Sequence, residues 1–109
     1  MDTAKVIKKL NETPLRPITR AEFDYIAPGM RYPSVVKTFG REGIKMNMSM
    51  EEMMALKGVE GRIYSGRRYR TFEVYAWKNT KGDATGDDPR IFIAFVDGGM
   101  AAKYQYGLE

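Results

Sequence analysis

Apolar positions along this chain change their spacing once, near Gly58. Before it they recur three and four residues apart, as on helices; after it they alternate, as on strands. The first helical pattern runs from a cap at Asp2 or Thr3 to about Glu12. Val6, Ile7 and Leu10 lie on one face, with Lys5, Lys8 and Lys9 towards the other. Pro14 and Pro17 then impose an extended linker. Thr19 and Glu22 form a capping box, and Ile18 and Phe23 stand at the two positions of a hydrophobic staple. This predicts a helix over 19–27, stopped by Pro28-Gly29. Pro33 suits the first turn of another helix, which ends near Phe39 with Gly40 as its stop. Ser49 and Glu52, with Met48 and Met53 as the staple, repeat the same start signal and predict a helix over 49–57.

Beyond Glu60 the period is two. Arg62–Tyr64 and Arg67–Lys78 read as a hairpin around Ser65-Gly66. On the longer strand Phe72, Val74 and Ala76 form the apolar set. Tyr69, Tyr75 and Trp77 take the other parity, which makes them an exposed aromatic face. Residues 79–89 hold no large apolar side chain and predict a mobile surface loop. Ile91–Val96 is apolar at every position, as expected of a central strand covered on both sides. Asp97-Gly98-Gly99 turns the chain into a last strand, about Met100 to Tyr106. The expected fold is α+β: short N-terminal helices packed on one face of a C-terminal three- or four-stranded antiparallel meander. It forms a single domain over 1–109, helical to about 58 and sheet over about 59–107. Leu108 and Glu109 are set aside from it as the kind of pair a tag linker leaves behind.

Composition narrows the chemistry. The 109 residues include no cysteine and no histidine, which removes disulfides, thiolate and imidazole metal sites and the common nucleophile–base pairs. No cofactor or metal site is expected: Asp83, Asp87 and Asp88 do not have the spacing of a calcium loop and read as a solvated acidic turn. The longest strongly apolar run is far short of a membrane span, and no signal peptide is visible, so a cytoplasmic, membrane-free protein is the expectation. Met46, Met48, Met50, Met53 and Met54 read first as gap-fillers of a core, and second as an adaptable partner surface.

Charge is unevenly spread. Residues 62–81 carry six basic side chains and one acidic one. Arg62, Arg67, Arg68, Arg70, Lys78 and Lys81 are interleaved with Tyr64, Tyr69, Tyr75 and Trp77. Arginines neutralise phosphates, and flat rings stack unpaired bases. The candidate binding residues are therefore Arg62, Tyr64, Arg67, Arg68, Tyr69, Arg70, Tyr75, Trp77 and Lys78. Lys37 and Arg41 form a second contact from the 33–39 segment, whose spacing after 19–27 is that of a helix-turn-helix, with Arg31, Ser34 and Thr38 alongside.

Helices followed by this Arg/Tyr-rich hairpin and an apolar strand resemble the small RelE-type ribosome-dependent ribonucleases. The resemblance implies RNA cleavage without histidine, with Arg67, Arg68, Tyr69 and Arg70 stabilising phosphate charge. The chain departs from that pattern at both ends, with no strand ahead of its helices and no basic tail after its last strand. The favoured reading is a non-catalytic protein that binds nucleic acid or a nucleoprotein complex. The alternative is a protein-interaction module, such as a small phage or mobile-element inhibitor or accessory subunit, using the Tyr/Trp/Arg face and the methionines as anchors. A homodimer is compatible with either.

Overall fold

The computed structural model describes residues 17–61, 68–78 and 91–108. The expected 2–12 helix, the Ser65-Gly66 turn and the 79–89 loop lie outside the described residues. Three helices are present among those described: α1 (Arg20–Tyr25), α2 (Tyr32–Phe39) and α3 (Met50–Met54). Five strands accompany them: β1 (Ile44–Met46), β2 (Glu60–Gly61), β3 (Phe72–Trp77), β4 (Ile91–Val96) and β5 (Gly99–Gln105). The strands make one antiparallel sheet in the order β1-β3-β4-β5-β2, so the all-apolar strand β4 is central, as its sequence predicts.

The helix starts follow local chemistry. In α1 the Glu22 amide donates to Thr19 Oγ1 (3.1 Å) and the Thr19 amide donates to Glu22 Oε1 (2.9 Å). Ser49 and Glu52 do the same for α3, at 3.1 and 3.0 Å. α2 carries Pro33 in its first turn and ends on Gly40 in the left-handed conformation (φ 82°). Asp97 (φ 51°) and Gly98 (φ 84°) both have positive φ. That is the signature of the two-residue type I′ hairpin, whose twist matches the strands it joins.

The sheet departs from the expected meander in three ways. It has five strands, because Ile44–Met46, inside the presumed helical half, pairs with β3. Three residues are too few to show a period. The expected hairpin's first arm, Arg62–Tyr64, lies outside the described residues, while Glu60–Gly61, just ahead of it, pairs with β5, on the far side of the sheet from β1. Gly61 is tied to that place by its φ of 101° and by the Ala101 carbonyl, which lies where a side chain would begin. β3 also starts only at Phe72, so Arg68, Tyr69 and Arg70 precede the strand.

Helices cover both faces, not one. On the first face α1 and α2 bury Ile18, Phe23, Val35 and Phe39 against Trp77, Ile91, Ile93 and Phe95. On the second, Met53 of α3 packs with Val74, Ala94 and Ala102, and Met46, Met48, Met54 and Phe72 close in around them. Met53 is thus core, Met46, Met48 and Met54 pack against it half-buried, and both staples join the core they face. Leu108, set aside on sequence grounds, packs against the first cluster.

Tyr75 on the first face stacks on Tyr32, with ring centroids 4.3 Å apart, and donates its hydroxyl to Glu73 Oε2 (3.0 Å). Burial, then the hydrogen bond and charge of Glu73, and the neighbouring Tyr32, push its phenol above the ordinary value of 10.0. The folded state therefore holds this proton more tightly than the unfolded chain. The stability it contributes is complete below about pH 10 and is lost as pH rises through the folded value. Tyr75→Phe should flatten the alkaline fall of the denaturation midpoint, and a fall as steep as in the parent protein would refute the assignment.

Candidate nucleic-acid interface

Three exposed arginines, Arg31, Arg68 and Arg70, gather at the end of the sheet that carries the β4–β5 turn. Asp97 organises it. Its Oδ1 accepts from the amides of Arg70 (2.6 Å) and Thr71 (3.0 Å), and its own amide donates to the Thr71 carbonyl (3.0 Å). The chain entering β3 is thereby pinned to the turn, with Arg68, Tyr69 and Arg70 exposed around it. From the other side comes Arg31, the residue that precedes α2. Its Nη1 donates to the Asp97 carbonyl (3.1 Å) and fills the space beside Gly98 where a β-carbon would stand.

Arg31 reaches this place through a long-range stitch. The Gly29 amide donates to the Met100 carbonyl (2.8 Å), the Met100 amide to the Met30 carbonyl (2.9 Å), and Arg31 bridges to Gly99. Arg68, Tyr69, Arg70 and Asp97 line a shallow concavity of about 480 Å³. Among the described residues, no carboxylate forms an ion pair with Arg68 or Arg70. The arrangement is three guanidinium groups and one ring around a carboxylate already engaged with main-chain amides. It concentrates positive charge in a form suited to a polyanion.

The other predicted residues separate from this cluster. Trp77 is not on an exposed face: it is 1% exposed, and its indole Nε1 donates to the Arg41 carbonyl (2.9 Å). Tyr75 is half-buried against Tyr32. Both were expected to stand in water because one covered face was expected, and the sheet has two. Arg41 is half-buried and donates from its guanidinium to the Lys78 carbonyl, so with Trp77 it clips the chain after α2 to the end of β3. Lys78 is half-buried, and Lys37 is exposed on the outer side of α2. Arg62, Tyr64 and Arg67 lie outside the described residues.

Arg31, read from sequence as part of the helix-turn-helix contact beside Lys37 and Arg41, is brought instead to the Asp97 cluster by the 29–31 stitch. Lys103, which sequence reasoning passed over, is buried on the first face of the sheet, its Nζ 2.9 Å from the Phe23 carbonyl and 3.0 Å from that of Ile26. The sole sequence signal for Lys103 was a charge within an otherwise small and apolar strand.

Among the described residues no group of three or more acidic side chains is placed to hold a metal ion, and no helix is long and apolar enough to cross a membrane. In comparisons with protein families, curated proteins and solved structures, nothing matches this chain.

Proposed function

We propose that this protein binds nucleic acid without catalysing a reaction on it, gripping phosphates with Arg68, Arg70 and Arg31 at the Asp97 end of the sheet. The observation that carries this reading is the cluster itself: arginines brought together from two distant parts of the chain, with the local carboxylate tied to main-chain amides. Tyr69, 37% exposed, sits among them and offers a ring to a base. Charge and a ring suit the holding of a phosphate chain; moving its protons would call for a poised acid and base. The protein-interaction reading keeps fewer of its anchors, since Trp77 and Met53 are buried and Met46, Met48 and Met54 are packed.

The test is binding of labelled single-stranded and duplex oligonucleotides at several salt concentrations. Affinity should fall steeply with salt, and the double variant Arg68→Glu, Arg70→Glu should lose about tenfold or more, roughly 1.4 kcal/mol or above. The salt slope of that variant should also drop by one to two contacts' worth. Binding that ignores salt, or no binding by the parent protein, would overturn the reading and leave a protein partner in its place.

A further inference from the structure

A second concavity, about 350 Å³, lies between α1 and α2 and is lined by Tyr25, Met30, Ser34, Lys37 and Thr38. We infer that it is a subsite for an unpaired base, and that it continues the arginine cluster into one track for single-stranded nucleic acid. This rests on the nucleic-acid reading and extends it to a strand type and to residues outside the cluster.

Continuity comes from the stitch. Met30 lines the second concavity and Asp97 lines the first. The two are joined by the Met30–Met100 hydrogen bond, the Arg31–Gly99 bridge and the Arg31 contact to the Asp97 carbonyl. Arg31 therefore stands between the two hollows, where a phosphate linking their occupants would pass.

The contents of the second hollow suit a nucleotide. Tyr25 is 68% exposed, the most exposed large hydrophobic residue described, so its ring is available to a stacking partner. Lys37 is exposed and supplies a cation, and Ser34 and Thr38 bring hydroxyl oxygens. Negative charge on the facing helix is already committed: Asp24 pairs with Arg20 (3.3 Å), and Glu22 is held in the capping box. A volume of about 350 Å³ is at the low end for ligand sites, matched to one small planar group and not to a duplex. Bases inside a duplex present only their edges, so stacking on Tyr25 selects a strand whose bases are free to turn out.

The experiment compares Tyr25→Leu, Lys37→Gln and Tyr25→Trp with the parent protein. A single-stranded oligonucleotide and a duplex of the same sequence are the probes, and circular dichroism checks each fold. Tyr25→Leu should weaken single-strand binding about tenfold with an unchanged salt slope, and leave duplex binding as it was. Lys37→Gln should lower the slope by about one contact. Because the chain's one native tryptophan, Trp77, is buried, the indole of Tyr25→Trp should be the one quenched when single strand is added, with affinity retained. Parent-like single-strand binding by Tyr25→Leu, alongside a defect in the Arg68/Arg70 double variant, overturns the subsite and leaves the nucleic-acid reading standing. Equal loss on both probes also overturns it. Absence of salt-sensitive binding by the parent protein removes the nucleic-acid reading itself.

Discussion

Trp77→Ala should cost about 3–5 kcal/mol of stability, read as a lower denaturant midpoint with an unchanged slope. Trp77 is buried beneath α2. Its ring meets Phe39 edge-on at 5.1 Å, lies 6.2 Å from Tyr32, and is flanked by Tyr75 at 6.5 Å. Gly43 is pressed so closely on the indole that a β-carbon there would fall 2.7 Å from it, so the chain after α2 is shaped around this side chain. Alanine would open a cavity between helix and sheet and leave the Arg41 carbonyl without its indole donor. Trp77→Phe separates the two effects. It keeps most of the apolar contact, loses the N–H, and should cost on the order of 1–2 kcal/mol. A parent-like midpoint for Trp77→Ala would mean that the indole is not in this core. Any loss of nucleic-acid binding by that variant should track its loss of folded protein, in contrast to the surface variants at Arg68 and Arg70.

The same residue shows where sequence reading succeeds and where it stops. The alternation that puts Phe72, Val74 and Ala76 on one side of β3 and Tyr75 and Trp77 on the other is a property of the pleat, and it holds. Which side is covered depends on distant segments. The second cover is α3 with its methionines, and the edge beside β3 is Ile44–Met46. Neither a five-residue helix nor a three-residue strand announces its docking partner. Capping boxes were legible because both ends of each hydrogen bond lie three residues apart. In the same way Arg68, Tyr69 and Arg70 were legible as a basic stretch, whereas Arg31 joins them only through Asp97, 66 residues further along the chain. Tyr25 carries no local signal at all. Its interest comes from the stitch between 29–31 and 99–100, which sets the α1–α2 hollow beside the arginines.

Lys103→Met should destabilise the protein by about 2–3 kcal/mol and loosen α1 before the rest of the fold. Three features place Lys103 at the end of that helix. Its register partner on β4 is Ile93, so its side chain rises from the face that α1 covers. Its ammonium lies 2.9 Å from the Phe23 carbonyl, 3.4 Å from that of Asp24 and 3.0 Å from that of Ile26. It also sits 4.6 Å from the centre of the Phe23 ring. α1 has no basic residue in its own last turn, so the cation that complements its C-terminal carbonyls comes from the sheet. These are charge-assisted bonds in a buried setting, where leaving acceptors unmatched costs more than the bonds' net worth on the surface. Methionine keeps the length and the apolar stem, so packing alone would predict a small effect. Amide exchange separates the two outcomes. If the ammonium anchors α1, protection should fall first for residues 20–26 while β4 remains protected. Uniform change across helix and sheet, or none, would show that Lys103 contributes only its bulk. Because α1 carries Tyr25, the same variant should also weaken single-strand binding under conditions where the sheet is still folded, and leave the Arg68–Arg70 contacts in place.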